Sequence, residues 1–332
     1  AFILSHEIIH FTNKHARTGF VENDRIEQGR GEYKRIKWEK TLNKSKYSKE
    51  LEMEADVAGL QIFLNSKYSI DEVNGVFDVL EFAHIPIDDV PLDPAFFNDN
   101  YLNASKNYIK DEIDPIVSSD NENDSYQSHP NINKRRAVMD FELEEESNAG
   151  RKKFIQAEKE FNKIQKLAQY ELSFLFTKKR AYGEAIYNSY VLLNSYPDDK
   201  FLQTNIAYCL YALSKYKNDK KLGRVLTDYE DVQGFSQQVF YMFEEMDKKL
   251  LGTLAVKKLW ELKKQYPDDT FIASIAEDAL KEMILKSGAR KSDFRRKLSK
   301  KDVAQNGGEV DLTFKKSKYD KIKKKSEGED EI

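Results

Sequence analysis

Five residues near the start of the chain, His6-Glu7-Ile8-Ile9-His10, have the types and spacing of a metal-dependent hydrolase. The apolar residues around them predict a buried helix. Residues four positions apart lie on one face of a helix, so the two histidines can bind the same metal ion. Glu7 lies beside that face, where its carboxylate can take a proton from an activated water. The competing interpretation is a buried helix with two hydrogen-bonded core histidines.

A catalytic zinc site needs three protein ligands and an open position for water. The acidic segment 50–56 supplies the candidate, because the apolar residues in and after it recur at helical spacing. Glu52 and Asp56 are one helical turn apart, so Glu52 can bind the metal while Asp56 reaches back to orient a histidine ligand. The competing interpretation is an acidic helix face that only contacts solvent.

Together the two motifs resemble the gluzincins of metallopeptidase family forty-eight, the HtpX/BepA-like zinc metallopeptidases. HEIIH is similar to the first motif of that family, and EMEAD, from Glu52 to Asp56, is similar to its second motif, ExxAD. The resemblance implies one Zn²⁺ per chain, held by His6, His10 and Glu52. It also implies that Glu7 is the general base and that Asp56 supports a ligand from behind.

A third segment, from His129 to Arg135, is similar to the HPxxxxR motif of the same family. The resemblance implies that His129 stabilises the transition state or is a resting fourth ligand, and that Arg135 helps to hold the site. Arg136 stands where the family usually has an apolar residue. His15 matches a further histidine of soluble members and is expected to be structural. Without the other motifs, a His-Pro pair indicates only a turn before a helix.

Composition limits the classes of function. The chain has 332 residues, enough for two domains, and its formal net charge of -3 gives no case for nucleic-acid binding. It contains no apolar run of about 18 residues, so no segment is expected to span a membrane. The single cysteine, Cys209, forms no intrachain disulfide, which leaves the redox compartment open.

The position of the first motif predicts that part of the enzyme is missing. In the family that the motifs resemble, strands and helices precede the first motif, whereas here only five residues come before His6. We therefore expect an N-terminally truncated chain. Any signal sequence or membrane association would come from the missing part.

The second half of the chain contains an internal repeat. YPDDKF, which begins at Tyr196, recurs as YPDDTF 70 residues later at Tyr266. Two units of 35 residues are close to the tetratricopeptide period of about 34. The segment 182–197 resembles the second helix of such a repeat, although the consensus Trp and Gly of the first helix are absent. A tetratricopeptide-like array is therefore predicted, with a generic helical array as the alternative.

Three parts are expected, and the predicted fold class is mainly α. Residues 1–145 are predicted to be a fragment of a zinc metalloprotease catalytic domain with a zincin-type helical core, whose strand layer is missing. Residues 151–285 are predicted to form a tetratricopeptide-like α-solenoid. Residues 286–332 are predicted to be a charged, disordered tail.

The resulting hypothesis is a zinc-dependent endopeptidase that hydrolyses protein or peptide substrates. By family resemblance it would act in protein quality control in the periplasm or cell envelope, with the repeats recruiting substrate or partner proteins. The alternative comes from another class: a non-catalytic helical-repeat scaffold or chaperone with a latent zinc domain.

Overall fold

The computed structural model of the chain is mainly α-helical, as the sequence predicts. Within the described ranges there is no β-strand, and the only strand-like pairing is an isolated bridge between Tyr68 and Lys152. The structure describes residues 1–29, 37–83, 85–86, 88–97, 108–118, 124–126 and 129–288. The predicted tail lies outside these ranges from residue 289 onward.

Two compact units alternate along the sequence. The first unit comprises residues 1–84 and 117–162, and the second comprises residues 85–116 and 163–332. The segment 85–116 lies within the predicted catalytic domain by sequence, yet it belongs to the second unit in the structure. Each unit is described separately below.

The first unit is built from helices around a small apolar core. Their bounds are α1 Phe2–Thr12, α2 His15–Gln28, α3 Lys37–Leu64, α4 Asp71–Glu81 and α5 Ile132–Leu143. The core is formed by the buried side chains of Phe2, Leu60, Phe63, Val73, Phe77 and Met139. Because these residues come from four different helices, their burial fixes α1, α3, α4 and α5 against one another.

Helix α1 buries only one of its faces. Phe2 and Ile9 are buried, whereas Leu4 and Phe11 are 66% and 83% exposed. The sequence predicted a buried helix. The prediction is correct for the face of α1 that packs on α3 and wrong for the opposite face. The exposed face carries large apolar side chains that contribute nothing to the core of the first unit.

The second unit contains most of the buried apolar residues of the chain. Its helices are α6 Glu158–Lys179, whose first residues group with the first unit, α7 Tyr182–Ser195, α8 Lys200–Asn218, α9 Ser236–Glu245, α10 Lys248–Gln265 and α11 Thr270–Leu285. Helix α8 packs on both α7 and α10, and α10 packs on α11. Cys209 is fully buried in α8, and burial raises the pKa of its thiol to about 12.

The repeated YPDD sequence is a capped turn between two helices. Tyr196 ends α7 and Asp199 begins α8, where the aspartate carboxylate accepts a hydrogen bond from the Leu202 N–H. Tyr266 and Asp269 make the same turn between α10 and α11. An aspartate N-cap satisfies backbone donors that the first turn of a helix leaves unpaired. The internal repeat therefore encodes how a helix pair is joined.

No helix in the described part of the chain combines the length and the apolar character needed to cross a bilayer.

Candidate metal centre

Three side chains of the first unit bring their ligand atoms together. His6 Nε2 lies 2.9 Å from His10 Nε2 and 3.6 Å from Glu52 Oε2, and His10 Nε2 lies 3.4 Å from Glu52 Oε1. Ligand atoms about 2.0–2.1 Å from a tetrahedral zinc ion are about 3.3 Å from one another. The observed separations bracket that value, so the residues present fit one zinc ion. The separation of His6 Nε2 and His10 Nε2 also fits an N–H···N hydrogen bond without a metal. Bound zinc is therefore a proposal, which is made with its test under the proposed function.

The ligands come from two helices that meet backbone to backbone. His6 and His10 lie on one face of α1, and Glu52 lies on α3. The crossing point is Gly59, where an added Cβ would lie only 2.8 Å from the backbone nitrogen of His6 and 2.9 Å from its Cα. Such a distance is shorter than any ordinary contact, so only glycine allows α3 this close to α1. Gly59 could not be identified from the sequence, because its role depends on a neighbour 53 positions away.

Asp56 contacts His6 through the ring nitrogen that does not face Glu52 and His10. Its fully buried carboxylate lies 2.9 Å from His6 Nδ1, so the Nδ1–H tautomer donates to Asp56 and leaves Nε2 directed at Glu52 and His10. Burial by itself raises the pKa of Asp56, but hydrogen bonds from His6 and Arg135 outweigh it and hold the pKa below its usual value. The buried group is therefore a charged carboxylate.

Arg135 supplies the charge that balances Asp56. Its Nε donates to Asp56 Oδ2 at 2.6 Å and its terminal nitrogen donates to Oδ1 at 2.7 Å, a two-point ion pair between α5 and α3. Its other terminal nitrogen lies 3.8 Å from Glu52 Oε2. The residue predicted to help to hold the site thus contacts Asp56 and lies near Glu52. Arg135 is only 7% exposed, and its guanidinium is directed at Asp56.

His129 lies on the open side of the centre. Its Nδ1 is 3.3 Å from Glu52 Oε2, and its side chain is 64% exposed. The structure therefore places His129 of the third motif beside Glu52, in the lining of the cavity that His6 and His10 also border. A histidine so placed can approach a ligand or a substrate without being fixed by burial.

Asp124 anchors the turn that carries His129. Its carboxylate accepts hydrogen bonds from the Asn131 N–H at 2.9 Å and from Lys134 Nζ at 2.8 Å, while Lys49 of α3 donates to its carbonyl at 2.9 Å. The hydrogen bond from Lys134, helped by the Asn131 N–H, lowers the pKa of Asp124 to about 2. Asp124 could not be identified from the sequence, because one of its partners lies 75 positions away.

His15 contacts His10, the second predicted ligand. Its Nδ1 is 3.0 Å from His10 Nδ1, and its ring is buried. It does not belong to the group of side chains that could share a metal ion. Burial lowers the pKa of His10 although Glu52 opposes this shift, and a neutral imidazole is the form that binds metals.

Glu7 lines a cavity of about 790 Å³ together with His6, His10 and His129. Phe11 and Phe20, both largely exposed, form part of the same wall. The cavity is large enough for a few residues of an extended peptide. Among the described residues that line it, the carboxylates are Glu7 and Glu52. The arrangement can therefore present a proton acceptor and a set of metal ligands to one bound substrate.

Comparisons with known proteins return no match: no family model, no curated protein and no solved structure matches the chain. The family resemblance consequently depends on the three motifs alone.

Proposed function

We propose that the chain is the zinc-binding part of a metalloendopeptidase. The observation that carries the proposal is the convergence of His6, His10 and Glu52, with separations that suit one tetrahedral ion. These three residues would hold the zinc. When bound, a zinc ion supplies Lewis acidity, which activates water and polarises a carbonyl group near neutral pH.

The residues of the chain account for the remaining steps of peptide hydrolysis. Glu7 takes a proton from the attacking water and returns it to the leaving amine, a role typically worth 10²–10⁴-fold in rate. His129 donates to the oxygen that becomes negative, which contributes about 3 kcal/mol in comparable sites. Asp56 and His15 keep the ligand imidazoles in the orientation that these steps need.

The broader assignment follows the motifs. In order along the chain, HEIIH, EMEAD and HPxxxxR support an HtpX/BepA-like gluzincin with tetratricopeptide-like repeats in its second unit. That assignment implies protein substrates, a role in envelope protein quality control, and recruitment of substrates or partners by the repeats. The zincin-type core and the solenoid are parts of this proposal.

The test is a Glu7→Gln variant of the protein. We expect it to bind one zinc ion per chain by metal analysis and to lose cleavage of an unfolded protein such as casein. Glu50→Gln is the matched control, because Glu50 is exposed on α3 outside the cavity. Casein cleavage retained by the Glu7→Gln variant would refute the assignment of the general base.

A non-catalytic scaffold is the second candidate function. It is favoured by a groove of about 480 Å³ in the second unit, lined by exposed Phe174, Phe201 and Phe271 beside the cations of Lys178 and Arg180. Exposed aromatic clusters of this kind mark binding surfaces. The scaffold is supported if the Glu7→Gln protein still captures partners that a Phe201→Ala variant loses. Partner capture that is unchanged by Phe201→Ala would contradict a role for this groove.

A further inference from the structure

Residues 88–97, called the docked segment below, are bound along the second unit through their main chain. The Tyr187 hydroxyl donates to the Val90 carbonyl and accepts from the Val90 N–H, both at 2.8 Å. The Tyr190 hydroxyl accepts from the Asp93 N–H at 2.9 Å and donates to the Pro91 carbonyl at 3.0 Å. Two tyrosines on α7 thus satisfy four main-chain groups of an extended stretch that lies about 97 positions earlier.

Glutamine side chains on α9 continue this pattern. The Gln238 side-chain carbonyl accepts from the Leu92 N–H at 2.9 Å, and its amide donates to the Lys110 carbonyl at 3.2 Å. Gln237 is fully buried, and its carbonyl accepts from the Asp114 N–H at 3.0 Å. Buried amides and hydroxyls need partners, because an unpaired polar group costs about 1–3 kcal/mol. Here the partners are main-chain groups, which every peptide carries.

Apolar side chains of the docked segment add two anchors. Leu92 and Phe97 are 5% and 1% exposed and belong to the core of the second unit. Phe97 packs edge-on against Phe243, with ring centroids 5.7 Å apart, and Phe96 packs on Tyr190 at 4.9 Å. Main-chain hydrogen bonds combined with pockets for a few side chains are the general way in which proteins bind extended peptides.

The binding surface extends beyond the docked segment. A cavity of about 360 Å³ adjoins Phe96 and is lined by residues that include Leu193, Pro197, Ile206 and Lys258. The docked segment therefore fills part of a longer groove, and the remainder has room for further residues of a ligand.

We propose that the second unit is a receptor for extended peptides and that residues 88–97 occupy it as an intramolecular ligand. The partner is an extended peptide with an aliphatic residue at the place of Leu92 and an aromatic residue at the place of Phe97. It binds by displacing the docked segment. This inference concerns the second unit alone and does not depend on the metal centre being catalytic.

Tethering sets the size of the expected effect. A covalently linked segment has an effective concentration of about 1 mM at its own site. A free peptide with an intrinsic Kd of about 10 µM is therefore weakened about 100-fold by competition from the docked segment. Substitutions that weaken the binding of the docked segment to its groove should restore most of the affinity for the free peptide.

The experiment uses a fluorescein-labelled peptide with the sequence DDVPLDPAFF, that of residues 88–97. Binding to the whole chain is measured by fluorescence anisotropy in the Glu7→Gln background, so that the probe cannot be cleaved. A Leu92→Ala/Phe97→Ala double variant of the chain is expected to bind the peptide at least tenfold more tightly than the chain with an intact docked segment.

Changes in the peptide test whether the main chain is recognised. Methylation of the Leu92 nitrogen removes the donor to Gln238 and should weaken binding to the double variant at least tenfold. Asp88→Asn is the matched control, since the Asp88 side chain is exposed and its oxygen accepts from the Asp89 N–H, which an asparagine oxygen can also do, and it should leave binding unchanged. Equal binding of the N-methyl and parent peptides would overturn the proposal.

Two further outcomes would also overturn it. The double variant could keep the helical content and thermal unfolding of the original chain yet bind the peptide no more tightly. Alternatively, it could lose the cooperative unfolding of the second unit, which would make residues 88–97 a permanent part of the core.

Discussion

Replacing Gly59 with alanine is the sharpest test of how the metal ligands are positioned. An alanine Cβ would lie 2.8 Å from the backbone nitrogen of His6, whereas ordinary contacts of a Cβ begin at 3.4 Å. The obstacle is helix backbone, which cannot rotate away as a flexible side chain can. Helix α1 must therefore move away from α3 by about 0.6 Å or more, the difference between these distances.

That displacement has two measurable consequences. Overpacking of this kind costs about 1–3 kcal/mol of folding free energy. It also separates His6 and His10 from Glu52, and zinc sites tolerate errors of only about 0.2 Å in ligand distance. We expect the Kd for zinc to rise about tenfold or more, a loss similar to that caused by misplaced supporting groups.

Gly75→Ala is the matched control for this variant. Gly75 is an exposed glycine inside α4, and a Cβ added there meets nothing within 4 Å. Both substitutions gain about 1 kcal/mol from the higher helix propensity of alanine. The difference in unfolding free energy between the two variants therefore isolates the overpacking cost.

Urea unfolding and zinc titration of both variants complete the test. We expect Gly75→Ala to be more stable than the original chain, with unchanged zinc affinity. The unfolding free energy of Gly59→Ala should lie about 1–3 kcal/mol below that of Gly75→Ala. If the two variants have the same unfolding free energy and the same zinc Kd, the α1–α3 contact does not set the ligand geometry.

Other predictions concern the supporting residues. Arg135→Met should cost about 3–5 kcal/mol in urea unfolding, because it leaves the buried Asp56 charge unpaired, and adding Asp56→Leu should recover most of the loss. Asp56→Asn should raise the zinc Kd about 10–100-fold in a competition titration. The lowered pKa of Asp124 contributes stability that is complete above its unfolded value of about 3.8 and declines as the pH falls towards about 2, so Asp124→Asn should flatten unfolding curves over that range. Asp199→Ala should cost about 1 kcal/mol in thermal unfolding through loss of a helix cap.

The parts of the candidate site that could be predicted from sequence are those with local spacing. His6 and His10, and likewise Glu52 and Asp56, are related by one helical turn, and a helix places such residues together wherever it lies. The capped YPDD turn was detectable for the same reason, since each copy is contained in a few residues. A regular repeat of helix pairs could not be traced between the two copies, because residues 219–235 between α8 and α9 contain only two short 3₁₀ turns.

The features that escaped prediction depend on distant partners. Gly59 is important because of the backbone of α1, and Asp124 because of Lys49 and Lys134. The grouping of segment 85–116 with the second unit was also unforeseen. Several of its hydrogen bonds are made by main-chain groups, which leave no pattern of side-chain types to detect.

The ion pair between Asp56 and Arg135 has a consequence for the time at which the centre matures during synthesis. The two residues are separated by 79 positions, and a ribosome adds about 5–20 residues per second. Helices α1 and α3 therefore leave the ribosome several seconds before the guanidinium that balances Asp56. Until Arg135 arrives, burying that carboxylate is unfavourable, so the packing of α1 and α3 around Asp56 can be completed only after α5 has also left the ribosome.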